Sequence, residues 1–340
     1  MSTSSWVRGL YIMRRFGANA ALGERAMSLK IANHKVVDCL VRMNCNPRAD
    51  GDWLYWRACE LQDTALCTII LDGIQPSKQT LGHFVNVAAM KGAASIIDLI
   101  VEHYGADIHQ PDGEDRVLML ACAENRVDIV RHLVEQYGCD VHSNKERHLR
   151  RACLHGHVEL VELLLPGADV HAYNDAALQN AAHAGHTEIV KMLLDAGANA
   201  QANRNAPLQY AVINSDLTSI KLLINAGADP RVHQDRALRH ACRRNAMDIV
   251  EYLLQLGADP NALEGSPLRE ALRSANESII KLLLEHGADP NSSGALRGMD
   301  EMIKQKNKDI ISLMVNAGTK ADIISSSSSS SSTPLMDENS

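Results

Sequence analysis

The chain has 340 residues and is 46% apolar, which is enough for a folded protein but too long for one ordinary core. Its net charge of −7 and pI near 6.1 argue against a general nucleic-acid or anionic-membrane binder, although local basic patches are still allowed. No apolar run reaches the roughly 18 residues that a membrane helix needs. We therefore expect no membrane-spanning segment.

The N-terminal segment is rich in Arg and Ser before the first acidic residue, Glu24. That composition is typical of a mitochondrial transit peptide. Phe16-Gly17-Ala18-Asn19, however, already has the form of a turn that recurs further along the chain. We interpret residues 1–23 as a degenerate N-terminal helix or cap, and we expect no mitochondrial targeting.

Residues 53–56 (Trp-Leu-Tyr-Trp) concentrate aromatic side chains in a chain that is only 4% aromatic. Leu54 matches the apolar Leu of the helices described below, which would place Tyr55 on the exposed face. Trp and Tyr are favoured anchors of protein interfaces, so Tyr55 is a candidate partner-binding residue. The alternative is that these aromatics pack against irregular N-terminal units.

A Gly-Ala-Asp or Gly-Ala-Asn turn recurs every 30 residues, at Gly167, Gly197, Gly227, Gly257 and Gly287. A fixed period of about 20 to 50 residues indicates a repeat array, in which each unit contacts only its neighbours. Each Gly follows a segment with helical apolar spacing and takes the position where a helix ends with positive φ.

A second apolar segment, such as Ala237–Cys242, precedes each of these helices, and Pro207 and Pro267 stand where a helix tolerates proline, in its first turn. The unit is therefore helix, tight turn, helix and Gly-terminated loop. Such short helices are marginal alone in water, so stacking must stabilise them. The sequence predicts an all-α array of about ten helix pairs over residues 24–320.

Four of the eight cysteines occupy one position of the first helix, each after an alanine: Cys59, Cys122, Cys153 and Cys242. Cysteine in such a position behaves as a small apolar residue, and the chain has no CxxC pair. Free buried thiols fit a reducing compartment. We expect a cytoplasmic protein, with a nuclear location as the alternative.

A serine run at residues 325–332, followed by Thr333-Pro334, ends the array. Such a segment has too few apolar side chains to form a core. We expect residues 321–340 to be a disordered Ser-rich tail.

The units resemble ankyrin repeats. The resemblance is carried by Ala206-Pro207-Leu208-Gln209, Ala181-Ala182, Gly185-His186, Glu188–Leu194 and Gly167-Ala168-Asp169-Val170. It implies an ankyrin-type α-solenoid that binds another protein through the concave groove of its first helices. The usual ankyrin unit has about 33 residues. Here about three are missing where that family forms a β-hairpin finger, so we expect shortened loops and binding by the groove.

Three loops carry a histidine, His109, His142 and His171, which could suggest metal binding. Packed helices are about 8–10 Å apart, whereas zinc ligands lie about 2.0–2.1 Å from the ion, so one ion cannot bridge successive units. We interpret these histidines as hydrogen-bonding loop residues. The chain also has no P-loop, dinucleotide, G-x-S-x-G or H-E-x-x-H motif. We predict a non-enzyme without metal or cofactor.

A basic stripe is predicted on the first helices of the C-terminal third. Arg239 and Arg243 share a helical face, as do Arg269 and Arg273 one unit later. Arg244 is adjacent to the first pair. Lys304 occupies the position of Arg273 in the next unit, and His183 occupies the position of Arg243 two units earlier. These residues are our candidate partner-binding positions.

Two interpretations of the stripe remain. It could bind an acidic peptide, because Arg offers bidentate contacts to carboxylates. It could instead be a solvated helix face that Asp235, Asp248 and Glu270 partly neutralise. The sequence predicts a protein-binding module or scaffold whose partner includes an acidic segment. The alternatives are a nucleic-acid binder that uses the stripe, and an adaptor that recruits substrates to an enzyme complex.

Overall fold

Pairs of short antiparallel helices account for the regular structure in residues 53–109 and 116–319, the parts of the chain that the computed structural model describes. The chain divides into two compact units. The first comprises residues up to Ala152 together with His157–Ala168, and the second comprises Cys153–Gly156 together with residues from Asp169 onward. The predicted cap (1–23) and tail (321–340) lie outside the described residues.

The first four helix pairs belong wholly or mainly to the first unit. They are α1 (Trp53–Glu60) with α2 (Thr64–Ile74), α3 (Lys78–Lys91) with α4 (Ala94–Asp98, continued by a π-helical turn at Leu99–His103), α5 (Arg116–Ala123) with α6 (Val127–Tyr137), and α7 (Ser143–His155) with α8 (Val158–Leu164).

The second unit contains five further pairs. They are α9 (Ala172–Ala184) with α10 (Thr187–Asp195), α11 (Ala202–Ile213) with α12 (Leu217–Asn225), α13 (Val232–Arg244) with α14 (Met247–Gln255), α15 (Ala262–Arg273) with α16 (Glu277–Glu285), and α17 (Ser293–Lys304) with α18 (Lys308–Asn316). The all-α fold with paired helices and short loops is confirmed for the described residues.

The core of the second unit repeats with the sequence period. The first helices α9, α11, α13 and α15 each bury a Leu completely at the same position of the repeat: Leu178, Leu208, Leu238 and Leu268. The second helices that follow them each bury an Ile completely at the same position: Ile189, Ile220, Ile249 and Ile279. Successive first helices pack directly on one another, from α9 through to α17. Full burial of such a side chain is worth about 1.5–3 kcal/mol, and this is how stacking stabilises helices that are marginal alone.

The cysteines confirm the predicted register of the first helices. Cys59, Cys122, Cys153 and Cys242 are all buried and unpaired. Burial raises the pKa of the thiols of Cys59, Cys122 and Cys153 to about 12, which keeps them protonated. They serve as small apolar side chains.

The Gly-Ala-Asp turn is a helix end followed by a side-chain-capped loop. Gly257 has φ 82°, as predicted for the stop of α14. The Asp259 carboxylate then accepts from the backbone N–H of Asn261 at 2.8 Å. The same side-chain bond recurs in the units that begin at Asp169, Asn199, Asp229 and Asp289. The side-chain oxygen of the recurring Asp or Asn therefore shapes the loop.

A three-residue left-handed turn links this loop to the next first helix, where the missing finger would stand. In α13 it consists of His233, Gln234 and Asp235, with φ of 56°, 58° and 52°. Four other first helices begin in the same way, with the turns at residues 144–146, 173–175, 203–205 and 263–265. Left-handed backbone costs about 1–2 kcal/mol for each ordinary residue, and less for Gly, Asn and Asp.

Buried acceptors at the third position of this turn join successive units. Asp175 Oδ1 accepts from the backbone N–H of Asn199 at 2.7 Å, and Asn205 Oδ1 accepts from that of Asp229 at 2.9 Å. Asp235 takes the same position in the next unit and is likewise buried. We call Asp175, Asn205 and Asp235 the buried polar column. These bonds offset part of the cost of the left-handed backbone.

The loop histidines behave as hydrogen-bonding residues. His109 Nε2 lies 3.0 Å from the carbonyl oxygen of Tyr137, in a later unit. His142 and His171 instead contact carboxylates four residues ahead, those of Glu146 and Asp175. The described residues contain no group of three or more His, Cys, Asp or Glu side chains that could hold a metal ion.

Candidate partner-binding site on the first helices

The predicted basic stripe forms a compact cluster on α13 and α15, which pack against each other. Its seven members are Arg236, Arg239, His240, Arg243, Arg269, Glu270 and Arg273, and we call this set the basic cluster. The cluster combines five guanidinium groups with one carboxylate, an excess of four positive charges when His240 is neutral. The chain as a whole carries a net charge of −7, so this surface differs sharply from the average.

Arg239 is held in place by the left-handed turn of its own unit. Its Nε donates to the carbonyl oxygen of Gln234 at 3.3 Å, and its terminal nitrogen donates to that of His233 at 3.2 Å. Gln179 uses its side chain in the same way, donating to Asn174 at 2.7 Å. The Arg239 side chain therefore has a structural partner while it remains half-exposed at the surface.

His240 lies between two arginines of its own helix. A terminal nitrogen of Arg243 is 2.6 Å from its Nδ1, and Arg236 Nε is 3.2 Å from its Nε2. Partial burial, together with the charges of Arg243, Arg236 and Arg239, lowers the pKa of His240 to about 4. The imidazole is therefore neutral at pH 7 and accepts a hydrogen bond at one nitrogen.

Glu270 is the counter-ion of the α15 side of the cluster. It is 8% exposed, and its Oε1 accepts from Arg269 at 3.1 Å. Its Oε2 lies 4.0 Å from Arg273 and accepts no hydrogen bond among the described residues. Glu270 therefore anchors two arginines from below and leaves the outer parts of their guanidinium groups available.

The other two acids proposed to neutralise the stripe have different surroundings. Asp235 belongs to the buried polar column, and burial raises the pKa of its carboxyl group. Asp248, in the first turn of α14, makes no ion pair with these arginines in the described parts of the chain. Glu270 alone of the three pairs with the cluster in those parts.

Three other predicted residues lie beside the cluster. Arg244 Nε donates to the carbonyl oxygen of Ile213 at 3.0 Å, so it ties the end of α13 to the end of α11. Lys304 is exposed in the last turn of α17, a helix that also carries Asp300 and Glu301. His183, on α9, is exposed and meets the ring of Tyr210 edge-on at 4.9 Å.

The prediction that Tyr55 faces a partner is wrong, because its side chain belongs to the core. Tyr55 is 1% exposed and stacks on Phe84, with ring centroids 3.9 Å apart. Its hydroxyl donates to the carbonyl oxygen of Phe84 at 2.8 Å. The alternative interpretation, packing within the N-terminal units, holds for this residue.

Sequence reasoning missed Arg236 and His240 as members of the site. The signal was present, since Arg236 stands four residues before His240 and seven before Arg243, which is the spacing of one helical face. Glu270 was considered only as a neutralising acid, although the structure places it at the centre of the α15 arginines.

These features define a class, a repeat protein built of stacked helix pairs that presents a charged face on its first helices. A family profile described as "Ankyrin repeats (3 copies)" matches residues 85–174, 149–234 and 231–293, and the chain belongs to the ankyrin repeat family. Among solved structures it is similar to the human ASB11 ankyrin repeat domain. The two are 30% identical over 53% of this chain and 89% of that chain, with a TM-score of 0.47. No curated protein matches significantly.

Every helix within residues 53–109 and 116–319 is too short or too polar to cross a bilayer. Ankyrin repeats generally act as protein–protein interaction modules.

Proposed function

We propose that this ankyrin repeat protein is a non-enzymatic binding module that holds an acidic segment of a partner protein on the basic cluster. The observation that carries the proposal is the excess of positive charge on α13 and α15. Five arginines meet one buried carboxylate, in a chain whose net charge is −7. A partner with acidic side chains supplies the missing negative charge.

The arginines are suited to this task because several are already oriented. Arg239 is bonded to two backbone carbonyl oxygens, and Arg269 is bonded to Glu270. A guanidinium held in position loses less conformational entropy when a carboxylate binds, and it offers two parallel N–H groups. Repeat arrays use extended surfaces of this kind for recognition.

The described cysteines support an intracellular, reducing place of action, the cytoplasm first and the nucleus as the alternative, because all six are buried and none of the six forms a disulfide in the described parts of the chain. A role as an adaptor that recruits a substrate would use the same surface. It would need a second docking element for the enzyme complex.

The test is a charge reversal of two exposed arginines of the cluster, one on each helix. Arg243→Glu with Arg273→Glu should leave helicity unchanged by circular dichroism and remove a partner protein captured from the native cell. The matched control is Lys191→Glu with Lys221→Glu, which makes the same charge change on exposed positions of the second helices α10 and α12. An identical set of captured proteins from the cluster variant and the unchanged chain would contradict the proposal.

A salt titration with double-stranded DNA distinguishes binding of an acidic protein segment from the nucleic-acid alternative. Binding to phosphate backbones weakens linearly in log salt because counter-ions are released. We expect no DNA binding at low salt that depends on the cluster. DNA binding that is lost in the Arg243→Glu, Arg273→Glu variant would favour the alternative.

A further inference from the structure

We propose that the basic cluster is a receptor for a phosphorylated serine or threonine of the partner protein. The inference deepens the proposed function, on which it rests, by naming the chemical group that the surface takes. It is carried by the arrangement of hydrogen-bond donors around His240 and by the placement of Glu270.

The first step concerns donors that compete for one acceptor. Arg236 Nε lies 3.2 Å from Nε2 of the His240 ring, and a terminal nitrogen of Arg243 lies 2.6 Å from Nδ1 and 3.4 Å from Nε2. A neutral imidazole has one acceptor nitrogen, and the other carries hydrogen. The two guanidinium groups therefore share one acceptor, although each carries several N–H donors. An anionic oxygen placed between Arg236 and Arg243 would accept from the N–H groups that the ring cannot satisfy.

The second step concerns how the negative charge is distributed. Glu270 pairs with Arg269 and Arg273 on α15. On α13, Arg236, Arg239 and Arg243 have no carboxylate partner among the described residues. The unneutralised charge is therefore concentrated around His240, where one compact group can contact several arginines.

The third step concerns the size of the charge. A phosphorylated side chain carries about −1.5 to −2 charges at pH 7 and three acceptor oxygens. A carboxylate carries one charge and two oxygens. Three arginines around a single imidazole present more donors than one carboxylate can use. All five cations of the cluster are arginine, whose planar fork matches phosphate oxygens.

The titration of His240 supports this assignment. Burial and the charges of Arg243, Arg236 and Arg239 lower its pKa to about 4, and the Glu270 carboxylate on α15 opposes this shift in part. The packed helix α11 carries Tyr210 in the same column. A dianion bound among the three arginines would add negative charge beside the imidazole. Its presence should therefore raise the pKa of His240.

The probe is a set of three synthetic peptide libraries with the same randomised flanks. Their central residue is an equal mixture of phosphoserine and phosphothreonine, or Glu, or Ser. They are passed over the immobilised full-length chain. We expect the phosphorylated library to be retained about tenfold more than the Glu library, the ratio that about 1.4 kcal/mol gives. Arg236→Gln with Arg243→Gln should abolish that retention, and Lys191→Glu with Lys221→Glu should not.

Equal retention of the phosphorylated and Glu libraries would overturn the phosphate inference and leave the binding of an acidic segment intact. The same conclusion would follow if the chain retained none of the libraries and still captured a partner through Arg243 and Arg273. The proposed function itself fails, by contrast, if the Arg243→Glu, Arg273→Glu variant captures the partner as well as the Lys191→Glu, Lys221→Glu control does. Complete displacement of the phosphorylated library by an equal charge of double-stranded DNA would also overturn the inference, in favour of nucleic acid.

A second measurement keeps the inference testable if the variants fold poorly. The side-chain resonances of His240 in the unaltered chain are followed by NMR against pH, with and without the retained phosphopeptides. We expect the pKa of His240 to rise from about 4 when the peptides bind. An unchanged pKa in a saturated complex would show that the phosphate lies elsewhere.

Discussion

At the scale of single residues, neighbouring side chains and backbone groups decide the charge state and the hydrogen bonds of the residues in the basic cluster. His240 is neutral because partial burial and three arginines lower its pKa, and Glu270 is a buried carboxylate that anchors arginines. Arg239 and Arg244 bond to backbone carbonyl oxygens. Periodicity placed the arginines on one face. These contacts depend on atoms of neighbouring helices and loops, and the residue type at one repeat position does not specify where those atoms lie.

His240 should make stability depend on pH between about 6.5 and about 4. Its pKa is lower in the folded chain than its ordinary value of 6.5, so the unfolded chain takes up a proton first as pH falls. The contribution of His240 to the free energy of unfolding is therefore present above pH 6.5 and is lost as pH falls towards 4.

The measurement is urea unfolding of the chain and of His240→Gln across that pH range. Other groups contribute equally to both proteins, so we expect the variant to show the flatter dependence. Parallel curves would mean that folding does not lower the pKa of His240.

At the scale of elements, the helix pairs and their Gly-ended loops could be predicted because each rests on a local pattern. Gly227, for example, stands at a helix end and has φ 97°. The left-handed turns could not be predicted, because strings such as His233-Gln234-Asp235 do not favour that backbone by themselves. The bonds that stabilise the turns at Asp175 and Asn205 come from a loop 24 residues later. Tyr55 was misplaced by one residue. It stands four residues before Cys59, as the buried Leu238 stands before Cys242, and so takes the position of that Leu in the core.

Asn205 should matter for its acceptor oxygen. Asn205→Ala leaves the backbone N–H of Asp229 without its side-chain acceptor and should cost about 1–3 kcal/mol in the free energy of unfolding. Asn205→Asp keeps an acceptor at this position, as Asp175 does in the preceding unit at 2.7 Å from Asn199, and should cost less. Chemical denaturation of both variants checks this. An equal loss in both would show that the acceptor oxygen is not what stabilises the turn.

Close contact between α15 and α17 should make Gly294 intolerant of any side chain. A Cβ there would lie 2.7 Å from the carbonyl oxygen of Glu264 and 2.8 Å from backbone atoms of Gly265. Because these are backbone atoms, no rotamer change relieves the overlap. We expect Gly294→Ala to lower the free energy of unfolding by about 1–3 kcal/mol.

The control for this change is Gly82→Ala, within α3, where a Cβ would meet nothing within 4 Å. Helix propensity predicts a gain of about 0.5–1 kcal/mol there. Comparable stability of the two variants by thermal unfolding would contradict the close approach of α15 and α17.

At the scale of the whole molecule, the repeat separates framework from recognition. The apolar positions and the Gly-Ala-Asp loops recur with little change, whereas the exposed first-helix positions differ from unit to unit. In the second unit, the column that holds His183 and Ile213 holds Arg243 and Arg273 further along. Function can therefore be specified by a few side chains on an otherwise repeated frame.

The central claim is that a partner protein docks on the first helices around the basic cluster. The most direct measurement introduces a photo-crosslinking amino acid at His183 or Lys304, on first helices, and separately at Lys191 or Lys221, on second helices. All four positions are exposed. After irradiation in the native cell, we predict that a partner is joined covalently at the first-helix positions. A partner joined solely at Lys191 or Lys221 would contradict the account.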